Sequence, residues 1–557
     1  MVSLRLLIVL FLFCCLNANT AIGQQVTYAE HIAPILLTKC GNCHREGNIG
    51  SFSLLTYEDA FSYRDAIYQN VLARRMPPWK PDYTYTHFLG ENNRILCNEE
   101  MELIKTWVEN ECPPGDLSQV PPVPDYDNLL DLGTPDATFQ IVPYTMPLDG
   151  DMYRCMVIPN DLPDEKYMTA AEFFPANKSI VHHIVLYYDT LATALQLDED
   201  DPGIGYTCFG SATSITANMV AQWGPGGRPT IMPEGMGLRI KPNGYFIMQM
   251  HYSGLENEKD STLFEMHFAD AGANLRKVSA HPFINHVLSI DNPPFLIPAN
   301  TAKTITATWQ ICDSISIISV APHMHLLGQH MSVYALVPAP EDALPCHNTI
   351  IPNFVNLPGY HATIPNTLNI VDTIPIVRVN DWDFHWQGAY TPKKPIIIPK
   401  NSFIRAEGYF DNNTNTNVIG GENTTDEMLA TLFFYTHYKV GDETAVYDVL
   451  PPMDPDNCQS VGVNPVKEEL NTYLNISPNP VEETANLSYY LATPQTVKLN
   501  FYNISGQLVK TYTPAQAQMQ KGYHQFSLDA AGFESGEYVC TIVGEQGIIG
   551  RKLFFVK

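Results

Sequence analysis

Apolar and polar positions follow two different periods along this chain. Across residues 28–107, helix-like patterns run over 28–37, 57–72 and 98–108, which predicts three helices. Pro113, Pro114, Gly115, Pro121, Pro122 and Pro124 then break the pattern and predict a stiff linker. Beyond residue 130 the chain changes to short apolar-rich or alternating runs, such as 180–188, 245–251 and 315–323, separated by turn residues. These predict strands in a large β region, long enough for two sandwiches, over about 136–449. A last boundary near Pro465 to Glu469 precedes a small β-rich module that opens on Ser477-Pro-Asn-Pro480 and has a turn at 503–506. The first residues differ from all of these: Arg5, an unbroken apolar run from Leu6 to Leu16, then Ala21 and Gly23. That is the form of a signal peptide over 1–23, and no later apolar stretch is long enough for a membrane helix.

At 557 residues the chain needs several cores. The formal net charge of −27 excludes nucleic acid as a partner, because phosphate binding needs clustered Lys and Arg. Export also fits the cysteines. Cys14 and Cys15 leave with the signal, and Cys97, Cys112, Cys155, Cys208, Cys312, Cys346, Cys458 and Cys540 are available for disulfides once Cys40 and Cys43 are set aside. Spacing does not give the connectivity; a local Cys97–Cys112 bond is the expectation at the end of the helical segment.

Cys40-Gly-Asn-Cys43-His44 supplies two thiols able to form thioethers with haem vinyl groups and an adjacent imidazole able to bind the iron. Met76, in Arg-Met-Pro-Pro-Trp, is the expected second axial ligand, held by a rigid Pro-Pro turn, with His87 as the alternative. The pattern APIL…CxxCH…LLTYEDA…MPPW…WV resembles a bacterial c-type cytochrome domain, which implies covalently bound haem c and an electron-transfer role over 24–116.

The β region carries His182-His183, His251, His323-x-His325 and Met428. Residues two apart on a strand share a face, so His323 and His325 can grip one ion. His182 and His183 would ordinarily face opposite ways, so joint ligation needs a twist, a bulge or a strand end. Imidazoles with a thioether favour copper, whose cuprous state the soft sulfur stabilises, over zinc.

In order, HH, QxHY, HxH and DEM, with YRCM (153–156), PEGMGLRI (233–240) and GGENTTDEM (420–428), this segment resembles the copper type II, ascorbate-dependent monooxygenases, the family of peptidylglycine and dopamine hydroxylases. The resemblance implies two jelly-roll-like sandwiches, 134–290 and 291–460, facing across a cleft. It assigns His182, His183 and His251 to an electron-transfer copper, and His323, His325 and Met428 to an oxygen-binding copper where a substrate C–H bond is cleaved. Gln249 matches a position behind the ligands. It also matches Cys312 with Cys458, and leaves Cys155 without its usual partner. The peptide hydroxylase holds its substrate carboxylate with an Arg before HxH and polar residues after its Met; here these positions are Ala321, Ala430 and Leu432. A neutral or apolar substrate is therefore expected.

Residues 472–557, after a linker at 461–471, resemble the sorting domain of the type IX secretion system, in SPNPVEETANLSYYL and in GEYVCTIVGEQGIIGRKLFFVK. The expected architecture is a small all-α cytochrome c domain, a Pro-rich linker (117–133), two all-β sandwiches and a C-terminal immunoglobulin-like sandwich. The expected function is an exported copper monooxygenase using dioxygen and a small-molecule or apolar organic substrate. Its electrons would come through the haem from ascorbate or an upstream carrier, and type IX machinery would be its export partner. The alternative is a non-catalytic exported copper and haem electron-transfer or copper-binding protein. A zinc hydrolase is weakest, because no His-Glu-x-x-His is present to place a general base.

Overall fold

The structure is a computed structural model that describes most of residues 25–447 and 474–556. Residues 1–24, 127–131, 209–211, 213–216, 285–289, 345–358, 422–424 and 448–473, with some shorter stretches, lie outside the described residues. The expected signal peptide and Cys346 and Cys458 are among them.

The first unit is helical. A π-helical turn, Tyr28–Ile32, runs into the helix Ala33–Lys39, whose Pro34 sits in the first turn where no N–H partner is lost. The expected helix over 57–72 divides into Tyr57–Ser62 and Arg64–Leu72. Tyr63 leaves helical geometry at the join, and its ring stacks on Phe52 at 3.9 Å. The helix Asn98–Glu109 starts on a capping box in which Glu100 accepts from the Cys97 amide at 2.9 Å. Trp107 on that helix packs, fully buried, with Ile32, Leu36 and Ile104. The expected Cys97–Cys112 disulfide is not formed: Cys112 is a buried free thiol, whereas Cys97 is disulfide-bonded elsewhere. Cys112 packs into the apolar cluster around Trp107, and its carbonyl accepts from the Tyr57 hydroxyl at 2.9 Å.

The β region is built on one continuous nine-stranded sheet. Strand Arg276–Ile284 pairs in parallel with Met236–Ile240 and antiparallel with Leu429–His437, which joins the two halves. Each half adds a five-stranded sheet of its own: one is built around Gly150–Pro159, Tyr245–Gly254 and Val181–Asp189, the other around Thr301–Ile311, Phe403–Asn412 and Gly328–Pro338. Two apolar cores fill the space between, and the first takes Ile318 and Phe434 from the second half. Phe246 and Phe264, fully buried there, meet at 5.4 Å edge to face, each burial favouring the fold by about 2–3 kcal/mol. The two halves are therefore sandwiches with a shared wall.

The helical unit is docked on this body. Residues 79–94 form an arm whose Asp82 amide donates to Arg378 O at 2.7 Å and whose Leu89 amide donates to Thr391 O at 2.8 Å. Lys393 returns its amide to His87 O at 3.0 Å and its ammonium to Glu91 at 3.1 Å. Phe88, 1% exposed, is part of the second core. Arg94 reaches the first half, donating to Pro225 O at 3.5 Å. The Pro-rich stretch folds back as well: Tyr126 donates to Leu37 O at 2.6 Å, and its ring lies so close to Gly41 that any Cβ there would collide with the phenol oxygen.

At the C-terminal end, a three-stranded sheet (Leu474–Ser477, Thr484–Leu491, Gly522–Asp529) and a four-stranded sheet ending in Gly547–Val556 enclose a separate core containing Leu487, Tyr489, Phe501 and Ile542. No helix among the described residues is long and apolar enough to cross a membrane.

Candidate metal centres and haem-attachment segment

His182 and His183 begin the strand Val181–Asp189, and His251 lies on its antiparallel neighbour. His251 pairs with His183 and Tyr252 with Val181, so His182 is an extra residue in a β-bulge. The bulge turns both adjacent imidazoles to one side. His183 Nδ1 lies 3.3 Å from His182 Nδ1 and 3.3 Å from His251 Nδ1. A single ring nitrogen has one proton or one lone pair, so it cannot satisfy two neighbours by hydrogen bonding. Nitrogens each about 2.0–2.1 Å from one ion, at tetrahedral to trigonal angles, stand roughly 3.3–3.5 Å apart; both pairs through His183 match that spacing, and ligand atoms of all three rings lie within 4.8 Å of one another, so the cluster fits a metal ion.

The surroundings fix the ring orientations. His251 Nε2 faces Asp151 Oδ1 at 3.2 Å, leaving Nδ1 for the cluster, and this hydrogen bond holds the Asp151 carboxyl down at about 2. Tyr153 stacks on His251 at 4.1 Å. Burial, then the charges of His251, His182 and His323, keep His183 well below the ordinary histidine value and so neutral, as a ligand must be. Gln249 is buried two residues before His251, with its amide 3.7 Å from Cys208 Sγ. Cys208 is bonded to Cys155, which answers the question the sequence left open for Cys155.

His323 and His325 leave the end of strand Ile315–Met324 with ring centroids 5.1 Å apart. His325 Nδ1 donates to Asp426 O at 3.0 Å, which leaves Nε2 as its donor atom. His323 pairs with Ala430 and Met324 with Leu429, and Met428, 6% exposed, directly precedes that partner strand. Gln387 supports His323, its Oε1 lying 2.5 Å from His323 Nδ1. Its Nε2 donates to Phe384 O at 2.7 Å, so the amide can only present oxygen to the ring. His323 is therefore the Nε2 donor tautomer. Two Nε2 donors would suit a soft redox ion such as copper, with the expected Met428 thioether as a third ligand. Ala321 faces Leu432 across the same strand pair, and Ala430 faces His323, so apolar groups flank this pair.

In the helical unit Cys40 caps the helix Ala33–Lys39, and Cys43 and His44 follow in the next turn, with both cysteines free and partly exposed. Burial raises both thiols, Cys40 to about 12. His44 Nδ1 is buried without a hydrogen-bond partner, and burial lowers its ring despite the Phe52 backbone beside it. A Cβ at Gly50 would lie 2.7 Å from that nitrogen, so only glycine fits. Two thiols and an imidazole on one turn fit haem attachment. Met76 is partly exposed on the turn after Arg64–Leu72. His87 is turned to Glu91 at 3.3 Å, on the docked arm.

Sequence reasoning missed Asp151, Gln387 and the Asp426 carbonyl. Asp151 adjoins the YRCM match and follows strand alternation from Tyr153, a usable signal. Gln387 lies in an irregular stretch with no pattern, and a carbonyl has no sequence signal at all.

The description "Copper type II ascorbate-dependent monooxygenase, N-terminal domain" matches residues 138–259, and "Secretion system C-terminal sorting domain" matches 475–556. Among curated proteins, peptidylglycine alpha-amidating monooxygenase of Rattus norvegicus is 27% identical over 166 residues, covering 28% of this chain and 15% of the relative. The Mus musculus enzyme is 26% identical over the same length and coverage. The chain thus spans about a sixth or less of the curated relatives it matches. A solved glycosylasparaginase from Flavobacterium meningosepticum, PNGase F, aligns at 12% identity over 54% of this chain and 96% of that one, with a TM-score of 0.21, too low to support an argument. The chain carries a copper type II monooxygenase N-terminal domain, with its three-histidine cluster inside it, and a C-terminal sorting domain that marks an exported protein.

Proposed function

We propose that this chain is an exported copper-dependent monooxygenase that hydroxylates a C–H bond of a neutral or apolar substrate with dioxygen, its electrons arriving through a c-type haem. The observation that carries the reading is the meeting of three histidine Nδ1 atoms at metal-ligand spacing inside the segment matched to the monooxygenase domain. His182, His183 and His251 would hold one copper ion; His323, His325 and Met428 would hold a second. Cys40 and Cys43 would carry the haem, with His44 and Met76 as axial ligands. When bound, copper supplies dioxygen binding and one-electron chemistry, and haem supplies one-electron transfer.

The chain's own groups do the rest. Asp151 and Gln387 fix ring tautomers so that lone pairs face the centres without deprotonation. Ala321, Ala430 and Leu432 present no charge to a substrate beside His323, so an anionic group would lose its hydration with nothing to replace it. The domain limits follow the sequence reading: cytochrome domain 24–116, sandwiches 134–290 and 291–460, sorting domain 472–557 by way of type IX machinery.

Metal analysis and an absorption spectrum of the mature protein test this, with two copper ions and one c-type haem expected. Oxygen uptake is expected with neutral C–H substrates and not with glycine-extended peptides. A fully loaded protein that consumes no oxygen with any of a panel of C–H donors would instead support the electron-transfer alternative.

A further inference from the structure

The arm at 79–94 makes more contact with the second sandwich than tethering requires. Beyond its backbone hydrogen bonds, Lys80 pairs with Asp381 at 3.2 Å, and the Arg378 guanidinium lies 3.9 Å over the Tyr85 ring. At its start, the Trp79 ring meets Tyr390 edge-on at 5.6 Å, and Phe88 meets the same tyrosine at 5.6 Å. Trp79 is three residues from Met76. Tyr390 in turn exchanges both backbone hydrogen bonds with Val320, at 2.8 and 2.9 Å, on the strand that ends in His323 and Met324. A continuous line of covalent bonds, ring contacts and hydrogen bonds therefore joins the Met76 turn to the His323 strand.

We infer that the Trp79–Tyr390 pair is the electronic contact through which the haem-bearing unit delivers electrons to the His323–His325 centre. The inference rests on the haem and copper reading above. In the step, a ferrous haem iron loses one electron to become ferric and a cupric ion gains it to become cuprous; no bond forms or breaks and no proton moves. Electronic coupling falls steeply across gaps, and the Trp79 and Tyr390 rings, with centroids 5.6 Å apart, bring two π systems together across the boundary between units. Docking contributes rigidity: the arm's ion pairs and the buried Phe88 hold the rings at fixed separation, where a flexible linker would only raise encounter frequency.

The test is anaerobic rapid mixing of the full chain, loaded with haem and copper, with haem reoxidation followed by its absorption and the cupric signal by electron paramagnetic resonance. Trp79→Leu and Tyr390→Leu are expected to slow reoxidation by at least about tenfold, while Trp79→Phe and Tyr390→Phe stay within about threefold of the unsubstituted rate. The haem spectrum and the unfolding midpoint, read in parallel, separate loss of contact from loss of fold. If Tyr390→Leu does not fold, the Trp79 pair of variants decides alone. Equal rates in the leucine and phenylalanine variants of a protein with an intact haem spectrum overturn the route but spare the haem reading. A protein with no c-type spectrum overturns both.

Discussion

Removing Gln387 should lower the affinity of one metal centre and leave the other untouched. Gln387 Oε1 and His323 Nδ1 are 2.5 Å apart, and the glutamine cannot turn its NH2 to the ring without losing Phe384 O at 2.7 Å. In Gln387→Leu the His323 Nδ1–H keeps no amide acceptor there. Either it remains unsatisfied or the proton moves to Nε2 and blocks the donor atom. Loss of a hydrogen-bond partner of this kind typically weakens metal binding about 10–100-fold. That corresponds to roughly 1.4–2.7 kcal/mol. Gln387→Glu retains an acceptor and adds negative charge behind the ring, so its affinity should equal or exceed that of the unsubstituted protein.

The assay is a competition titration of copper into the full chain against a chelator of known affinity. Two binding steps are expected, and only one should weaken in Gln387→Leu, because Gln387 does not touch the three-histidine cluster, where Asp151 has the matching role. Equal affinity for both steps within about twofold would refute the assignment of Gln387, since even the low end of the expected range is tenfold.

Two further outcomes concern stability. Asp260, 2% exposed, accepts from the amides of Ala176, Asn177 and Thr262 and from the hydroxyls of Thr262 and Tyr252, so it ties the turn before the His182 strand to the residue after His251. Asp260→Ala should cost about 3–5 kcal/mol in denaturant unfolding and loosen the three-histidine centre, whereas Tyr252→Phe should cost only about 1 kcal/mol; equal costs would contradict this. Glu172 faces Glu265 across paired strands, and burial, then the Glu265 charge, raises it from 4.5 to about 7. The folded chain thus holds a proton that the unfolded chain has released, so stability is lost as pH rises from about 4.5 through 7. Glu172→Gln should flatten that fall, by roughly 1–2 kcal/mol after allowance for partial exposure, in unfolding midpoints read between pH 5 and 8.

Local patterns carried much of the architecture. Helix period placed 98–108 within a residue of the helix Asn98–Glu109, and an apolar-rich run placed 245–251 inside Tyr245–Gly254. The split at Tyr63 was not legible, because it follows from a ring stacking on Phe52 rather than from any breaker residue. The shared sheet was illegible for a similar reason. Arg276–Ile284 reads as an ordinary strand, and only tertiary pairing shows that it has partners in both halves. At the site, residue types were legible and their convergence was not. Two adjacent histidines point apart on a regular strand, and nothing in their spelling announces the bulge opposite His251 that turns them together.

The shared wall changes what the two halves can do relative to each other. If each were a closed sandwich, the three-histidine cluster and the His323 pair could separate on a hinge at the boundary. Here the strand Arg276–Ile284 hydrogen-bonds to both sides, and separating the halves would break one of its two ladders. The Arg276 side chain adds a bidentate contact with Asp442, at 2.6 and 2.8 Å, and Asp442 also accepts from Ser316 on the His323 strand. A close approach of the halves lies nearer the centres: a Cβ built on Gly224, next to the strand that pairs with the His183 strand, would stand 3.4 Å from the carbonyl of Gln387. Gln387 thus holds His323 while its backbone packs against the first half. The spacing of the two centres is set by sheet pairing and close backbone contact, with the arm at 79–94 bound to both halves, through Lys393 on one side and Pro225 on the other.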